Sequence, residues 1–245
     1  MIEITIPVLN EENTLDKQVR KVCDYIKNNI TDLGLIHIIL ADNGSQDNTP
    51  IIGRALTDEL DCVKYIRLEE KGVGRALKAS WGGSIADIVG YMDLDLATDL
   101  TYLRPALEML LFDRADLVSG SRLLNGATVK GRSRIRNFTS RSFNYIVKII
   151  FQSSFSDGMC GFKFLKKSCL DSLFQLGAQS DGWFFATEIL ITGEYFGYRV
   201  KDLAVEWTDD PNTKVRIGKL TIEYLLAMKK LRSKLKKRNG SYAIK

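Results

Sequence analysis

Short apolar runs alternate with segments of helical periodicity through most of the chain. The runs are rich in Ile, Val and Leu and are bounded by Gly, Asn or Asp, which is typical of buried strands. The segments between them carry apolar residues three and four positions apart, which is typical of helices with one buried face. The predicted strands are residues 2–8, 35–40, 63–68, 86–92, 116–119 and 199–207.

Strands that alternate with helices at this spacing predict an α/β fold with a mainly parallel sheet and helices on both faces. The 245 residues are enough for one such domain. The last two predicted helices are residues 183–196 and 220–238. We divide the chain into an α/β domain, residues 1–217, and a basic amphipathic C-terminal helix and tail, residues 218–245.

Polar motifs follow five of the predicted strands. Because ligands bind at the carboxyl ends of the strands in parallel sheets, these motifs are expected to meet at one edge. The motifs are Asn10 with Glu11, the loop from Asp42 to Asp47, the loop from Lys71 to Gly74, Asp93 with Asp95, and Ser121 with Arg122.

Asp93 and Asp95 come directly after the apolar run of residues 86–92. Alternation at the end of a strand points both carboxylates to one side, where their charges repel unless a cation lies between them. Hard divalent cations with oxygen ligands, Mg²⁺ or Mn²⁺, bind such pairs and also hold substrate phosphates. The alternative is that both are solvated carboxylates opening a helix near Thr98, since Asp is favoured at helix starts.

Several classes of site are excluded or disfavoured by the residues present. The single histidine, His37, lies in an apolar strand, so neither a His-based triad nor a histidine-rich zinc site is expected. The turn after the first strand has no glycine, and Gly72-Val73-Gly74 lacks the third glycine of a dinucleotide site. A nucleotidyltransferase, one alternative class, usually has a glycine-rich basic loop where this chain has the acidic segment 10–12.

Basic residues are concentrated in two segments. One is a strip ahead of an apolar helix, which is either an anion-binding strip suited to a lipid phosphate or a solvated face; it contains Lys130, Arg132, Arg134, Arg136 and Arg141. The other is the tail, since residues 229–245 carry eight Lys or Arg and no acid.

The basic tail surrounds an apolar stripe of Met228, Leu231 and Leu235. This pattern favours a peripheral contact with a membrane surface, and we expect the chain on the cytoplasmic face of a membrane. The alternatives are ordinary packing of the stripe and a basic end that is solvated or disordered. The competing hypothesis, a nucleic-acid-binding tail, is disfavoured because aromatic residues are not interleaved with the basic ones. We therefore expect no nucleic-acid partner.

Glu188 interrupts the otherwise apolar helix predicted at 183–196. A buried acid needs a partner. We expect Glu188 either to pair with a base or to belong to the site.

Seven motifs in this order resemble the inverting family 2 glycosyltransferases of the GT-A fold, in particular the dolichyl-phosphate mannose synthases and glucosyltransferases. The resemblance covers roughly residues 2–216. The motifs are PVLNE, ADNGSQD, KGVGRA, the Asp-x-Asp of Asp93 and Asp95, GSR, DGMCGFK and WTDDPNTKVR.

The resemblance implies a nucleotide-sugar donor, a polyprenyl (dolichyl) phosphate acceptor and a role for each matching residue. Pro7 and Glu11 would lie against the nucleoside, Asp42 would read the base and Lys71 would lie near the nucleotide. Asp93 and Asp95 would hold Mg²⁺ or Mn²⁺ on the diphosphate, Asp95 being essential for catalysis, and Arg122 and Arg136 would receive the acceptor phosphate.

Three positions depart from the pattern of the resembling families. Asn43 replaces a frequent second Asp, Ala97 replaces a Gln of the mannose synthases, and Ala186 replaces an Asp before Thr-Glu. The second departure favours a UDP-sugar, UDP-glucose in particular, over GDP-mannose. A GDP-mannose-dependent synthase and a transferase with a soluble glycan acceptor remain the alternatives.

Overall fold

The computed structural model describes residues 1–209 and 217–242, with side chains described for 1–209 and 222–237. Within these residues the strands are β1 (Ile2–Val8), β2 (Ile36–Asp42), β3 (Val63–Arg67), β4 (Ile88–Met92), β5 (Leu117–Ser121), β6 (Thr128–Lys130), β7 (Phe162–Lys166), β8 (Val200–Ala204) and β9 (Glu206–Thr208). The helices are α1 (Leu15–Asn29), α2 (Thr49–Glu59), α3 (Val73–Gly82), α4 (Leu103–Leu111), α5 (Arg134–Phe151), α6 (Leu170–Leu176), α7 (Phe185–Tyr195) and α8 (Ile217–Tyr242).

Seven strands form one sheet in the order β3-β2-β1-β4-β7-β5-β8. Neighbouring strands are parallel except at β7, which runs antiparallel to both β4 and β5. The prediction of a mainly parallel sheet is therefore confirmed. Strand β7 was not predicted, because Lys163 interrupts its apolar pattern although the structure buries this lysine almost completely.

Helices cover both faces of the sheet, as predicted, and each face has its own apolar cluster. Helices α1, α2 and α4 cover one face, and helices α3, α5, α6, α7 and α8 contribute to the other. Helix α1 shows why the pattern folds this way: its predicted apolar positions are its buried ones, spaced three and four apart. Those positions are Leu15, Val19, Val22, Cys23 and Ile26.

The predicted strand at 199–207 is two strands. Its first half, β8, pairs with β5 in the main sheet, and its second half, β9, pairs with β6 in a separate two-stranded sheet. The break falls at Val205, whose amide donates to the carbonyl of Ser121. Strand β9 consequently crosses over the end of β5, where Arg122 follows.

The packing of helix α8 contradicts the prediction that its apolar stripe faces a membrane. Met228, Leu231 and Leu235 are buried in the cluster that α3 and α7 also line. The stripe is core packing that ties α8 to the α/β domain. The boundary set at residue 217 stays a prediction.

Gly90 in β4 is required by close packing and gives a test of the core. A Cβ atom there would lie 2.1 Å from Cδ1 of Phe164 and 2.7 Å from the carbonyl oxygen of Lys163. We expect Gly90→Ala to lower the free energy of unfolding by about 3 kcal/mol, since the partner backbone must shift. Urea denaturation measures this change.

The matched control is Gly82→Ala at the end of α3, where a Cβ atom meets nothing within 4 Å. Alanine favours helix there, so stability should change by less than about 1 kcal/mol, in the stabilising direction. Equal effects of the two substitutions would contradict the packing at Gly90.

Candidate active site

The carboxyl ends of β1, β2, β4 and β5 meet at one edge of the sheet, as the strand-end motifs predicted. The antiparallel strand β7 starts at this same edge, because Phe162 pairs with Met92, the last residue of β4. The segment 157–161 is thereby brought between the loop after β4 and the loop after β5. This segment is the part of the site that the strand pattern could not locate.

Asp42 ends β2 and is completely buried. Its Oδ1 accepts from the Ser45 amide at 2.8 Å, and its Oδ2 accepts from the Tyr65 hydroxyl at 2.5 Å and the Arg67 guanidinium at 3.1 Å. Burial, followed by the bond to Asp42, raises the pKa of Tyr65 to about 12. Three of the roughly four acceptor sites of this carboxylate are therefore used within the protein, and its side chain is covered in this conformation.

The other residues expected at the donor lie around Asp42. Pro7 pairs with Ala41 near the end of β1. Glu11 follows in a turn, where its amide donates to the Thr49 hydroxyl at 2.7 Å.

Lys71 is exposed in the loop before α3. The two glycines beside it serve packing: a Cβ atom at Gly72 would lie 2.4 Å from the Asp181 carbonyl oxygen, and one at Gly74 would lie 2.2 Å from that of Ser180. The structure thus places Lys71 at the correct edge, and its role at the nucleotide stays a prediction.

Asp93 and Asp95 lie in a tight turn that begins where β4 ends. Asp93 is half-buried and Asp95 is exposed, and the Asp95 Oδ1 accepts from the Ala97 amide at 3.0 Å. The helical segment that follows starts at Leu100 and is capped by Asp99, whose side chain accepts from the Thr101 amide. The alternative that the Asp pair opens a helix is therefore wrong.

The pKa of Asp93 is raised to about 7, first by burial and then by the charge of Asp95. Lys163 and Arg122 lower it only in part. The Asp93 carboxylate packs against the Gly161 backbone, where a Cβ atom would lie 1.8 Å from its Oδ2. Two close carboxylates with incomplete compensation form a site that a cation stabilises.

A divalent cation fits this donor set. In the described residues no group of three or more His, Cys, Asp or Glu side chains could hold a metal. Two carboxylate ligands, with the remaining positions filled by water and substrate phosphates, are the usual arrangement for Mg²⁺ at a phosphate site. Asp93 and Asp95 are the residues that would hold it.

Arg122 follows β5 and is held in a buried ion pair. Its Nε donates to Oδ2 of Asp157 at 2.7 Å, and its Nη2 donates to Oδ1 at 3.0 Å. Its guanidinium carbon lies 4.8 Å from the centroid of the Trp207 ring. Burial alone would raise the pKa of Asp157, but the charge and hydrogen bonds of Arg122 together with the charge of Lys163 outweigh it, and the pKa falls to about 2.

Sequence reasoning assigned no role to Asp157 or Trp207, which fix Arg122. Asp157 is the first residue of the motif DGMCGFK, and Trp207 is the first residue of WTDDPNTKVR. Their membership of these motifs was the sequence signal that could have identified them. Residues 210–216 of the second motif lie outside the described part of the chain.

Arg136 lies in the first turn of α5 and pairs with Asp209. It therefore reaches the segment that follows β9, close to the end of β5. Neither Arg122 nor Arg136 presents an unpaired charge in this conformation, and their expected roles at an acceptor phosphate stay predictions.

Glu188 is buried in α7 and accepts the amides of Gln179 and Ser180 at 3.1 and 2.9 Å. It pairs with no base among the described residues. The expectation for Glu188 is therefore corrected. Backbone amides satisfy its carboxylate, and these hydrogen bonds fix the loop that packs on Gly72 and Gly74.

The sequence profile of Glycosyl transferase family 2 matches residues 3–174, which include β1 to β7. The chain belongs to glycosyl transferase family 2. The predicted class, a glycosyltransferase, is confirmed at the level of this family, and the GT-A fold with it.

Two curated relatives have sequences similar to that of this chain. Glycosyltransferase AglD of Haloferax volcanii is 29% identical over 215 residues, which cover 87% of this chain and 34% of AglD. The chain thus spans about a third of the length of AglD. The dolichyl-phosphate beta-glucosyltransferase of Homo sapiens is 24% identical over 225 residues, covering 87% of this chain and 69% of the relative.

A solved structure of similar fold is glucosyl-3-phosphoglycerate synthase from Mycobacterium tuberculosis in complex with Mn²⁺, UDP-glucose and phosphoglyceric acid. It superposes with a TM-score of 0.69 at 19% identity, over 96% of this chain and 79% of that chain. At this identity the likeness shows the fold alone.

The buried Arg122–Asp157 pair gives the second prediction. Asp157→Asn leaves a buried guanidinium without its counter-charge, so the free energy of unfolding should fall by about 3–5 kcal/mol at pH 7. The folded pKa of Asp157 is below its ordinary value, so this advantage is full above about pH 4 and is lost as the pH falls through about 2. Urea denaturation from pH 2 to 7 measures it.

The control is Asp32→Asn, which removes an exposed pair with Arg104. Exposed pairs contribute roughly 0–1 kcal/mol. If the Asp157 variant loses no more stability than the Asp32 variant, the buried pair does not hold Arg122.

Proposed function

We propose that this chain transfers a sugar from a nucleotide-diphosphate donor, UDP-glucose being favoured, to the phosphate of a polyprenyl phosphate, with inversion at the anomeric carbon. The observation that carries the proposal is that the segment 157–161 contacts both the carboxylate pair after β4 and Arg122 after β5, since Asp157 pairs with Arg122 and the Asp93 carboxylate packs against Gly161. A site with both signs of charge suits a diphosphate leaving group next to a phosphate nucleophile.

The proposed reaction requires no general base. The second pKa of a phosphate monoester is about 6, so the nucleophile is largely ionised at neutral pH. His37 lies near the start of β2, at the end of the strand away from the site, and Ala186 is a buried alanine at the start of α7. Neither of these two residues supplies a base at the site, and the proposed acceptor brings its own charge.

The residues supply position and charge. A phosphate oxygen of the acceptor forms a bond to the anomeric carbon, and the bond from that carbon to the diphosphate oxygen breaks with its electron pair leaving on the UDP. In this proposal Asp42 accepts from the base of the donor, and its covered carboxylate becomes accessible when the donor binds. When bound at Asp93 and Asp95, Mg²⁺ or Mn²⁺ supplies Lewis-acid stabilisation of the charge on the leaving group.

The donor assignment rests on several relatives. Curated relatives are named dolichyl-phosphate beta-glucosyltransferases, and the similar structure holds UDP-glucose. Ala97 is buried and has no side-chain group that could assist a metal. GDP-mannose is the competing donor.

The acceptor assignment is supported by an apolar surface beside the arginines. Helix α5 carries Arg136 in its first turn, and it and α8 expose large apolar side chains. We call this surface the α5–α8 apolar face; its residues are Ile135, Phe138, Tyr145, Ile149, Ile222, Leu225 and Leu226. A phosphate with a polyprenyl chain fits arginines next to an apolar face, whereas a soluble glycan has no use for that face.

The α5–α8 apolar face also replaces the buried stripe as the proposed membrane contact. Beside it runs a groove of about 350 Å³ whose lining includes Leu225, Lys229, Arg232 and Lys236. Apolar side chains flanked by cations are the combination that binds an anionic membrane surface. No helix in the described ranges has the length and apolarity that crossing a bilayer demands. The expected location on a cytoplasmic face stays a prediction.

A transfer assay tests the proposed function. Labelled UDP-glucose, UDP-N-acetylglucosamine and GDP-mannose are offered with geranyl phosphate, geraniol or phosphoglyceric acid. We expect product only with the prenyl phosphate and most with UDP-glucose. Asp95→Ala should lose transfer by a factor of at least about 100, because a ligand of the leaving-group cation is gone.

The Asp95→Ala variant should keep its wild-type unfolding midpoint, because Asp95 is exposed. Near-normal turnover by this variant would refute the carboxylate site. Transfer to phosphoglyceric acid but not to geranyl phosphate would refute the lipid acceptor.

Membrane contact is tested by substitution rather than truncation, because cutting after Ala227 removes the buried Met228 and Leu231. We expect Leu225→Ser with Leu226→Ser to weaken binding to vesicles containing phosphatidylserine about tenfold, since apolar area is lost from the contact. Co-sedimentation measures the binding. The control Ile85→Ser changes an even more exposed apolar residue that lies before β4, at the opposite edge of the sheet. Equal binding by both variants would rule out the α5–α8 apolar face as the contact.

A further inference from the structure

Arg132 lies between β6 and α5 and leaves most of its hydrogen-bonding capacity unused. Its Nη2 donates to the Ser140 hydroxyl and, at 3.4 Å, to the carbonyl of Arg136. Its Nε and Nη1 are covered from solvent and have no hydrogen-bond partner within the described part of the chain. A guanidinium has five N–H donors, and Nε and Nη1 together carry three of them.

The charges around Arg132 do not balance. The pKa of Arg132 is lowered to about 10, first by burial and then by the neighbouring charge of Arg122, while Asp157 and Asp209 act in the opposite direction. Those two carboxylates already serve other partners, because Asp157 holds Arg122 and Asp209 holds Arg136. Among the described residues, three guanidinium groups thus share two carboxylates, and Arg132 is the one that has no counter-charge of its own there.

The start of α5 adds to the positive potential. Ser133 caps this helix, and its first turn contains Arg134 and Arg136 but no acidic residue. Basic residues at the amino end of a helix oppose the helix dipole, so an anion bound there is stabilising. Buried unpaired donors are rare, and the ones on Arg132 lie in this same positive region.

We propose that Arg132 binds the phosphate group of the acceptor, and that Ser140 orients its guanidinium. The ligand chemistry is a phosphate monoester dianion, which accepts charge-assisted hydrogen bonds from guanidinium groups. That the ester carries a prenyl chain rests on the proposed function; the binding of the phosphate does not. Since the free nitrogens are covered, binding includes a local opening of the segment around Arg132.

Calorimetric titration of the whole chain tests the proposal without turnover. The probes are geranyl phosphate, geraniol and phosphoglyceric acid. We expect Arg132→Gln to weaken geranyl phosphate binding at least about tenfold and Arg132→Lys to weaken it less, because lysine keeps the charge but loses the planar fork. The control Arg114→Gln changes an exposed arginine between α4 and β5, at the opposite edge of the sheet, and should weaken binding less than about twofold.

Two further measurements separate binding from a structural role. In the transfer assay, Arg132→Gln should raise the KM for the acceptor and leave the KM for the donor within about twofold. Arg132→Met should have an unfolding midpoint equal to or a few degrees above that of the wild-type protein, since it removes a buried, uncompensated charge. A residue with a purely structural role would lower the midpoint and affect donor and acceptor alike.

The outcomes distinguish this proposal from the proposed function. If the wild-type protein transfers sugar to geranyl phosphate and Arg132→Gln behaves like Arg114→Gln, the proposal for Arg132 is overturned and the function stands. If phosphoglyceric acid binds in an Arg132-dependent way while geranyl phosphate is neither bound nor used, the phosphate site stands and the lipid acceptor is overturned. If neither phosphate monoester binds the wild-type protein, both are overturned.

Discussion

The buried ion pair between Arg122 and Asp157 is the interaction on which the rest of the site depends. Removing two charges from water is costly, and good geometry with paired hydrogen bonds is needed to offset it. Here the carboxylate accepts two bonds from the guanidinium, and the opposite side of the arginine lies on Trp207. Trp207 is in β9, which pairs with β6, so the arginine fixes the small sheet to the end of β5.

This pair forms because β7 is antiparallel to its neighbours, β4 and β5. A sheet that was parallel throughout would place only strand ends at the ligand edge, whereas β7 places a strand start there. The segment before β7 brings Asp157 to Arg122 and Gly161 to Asp93, with the Asp93 carboxylate against the glycine backbone. One antiparallel strand therefore positions both the anionic and the cationic half of the site.

Most of the fold could be predicted from the sequence because most elements obey a local period. The buried face of α1 and the polar ends of β1, β2, β4 and β5 follow directly from spacing. Strand β7 could not be predicted in this way, since the burial of Lys163 depends in part on a residue distant in the chain: its ammonium donates to the Cys160 carbonyl three residues earlier and lies over the ring of Tyr91 in β4.

The residues of the candidate site also fall into two groups, those that local spacing predicts and those that only the folded structure reveals. The residues that follow the predicted strands lie at one edge of the sheet, as expected, because parallel strands bring their carboxyl ends together. The partners of those residues could not be read from spacing: Asp157 and Asp209 neutralise the two arginines that had been expected to meet a phosphate. The stripe on α8 shows the same limit, because periodicity identifies an apolar face but not the surface that covers it.

Helix α5 joins the two requirements of a lipid phosphate in one element. Its amino end lies at the arginines, and its exposed apolar side chains run from Ile135 to Ile149. Fourteen residues of helix rise about 21 Å. A phosphate held at the amino end therefore has an apolar surface of that length along which its hydrocarbon chain can lie. A phosphorylated acceptor without such a chain would use the arginines and leave this surface in water, so the exposed apolar side chains themselves favour the lipid.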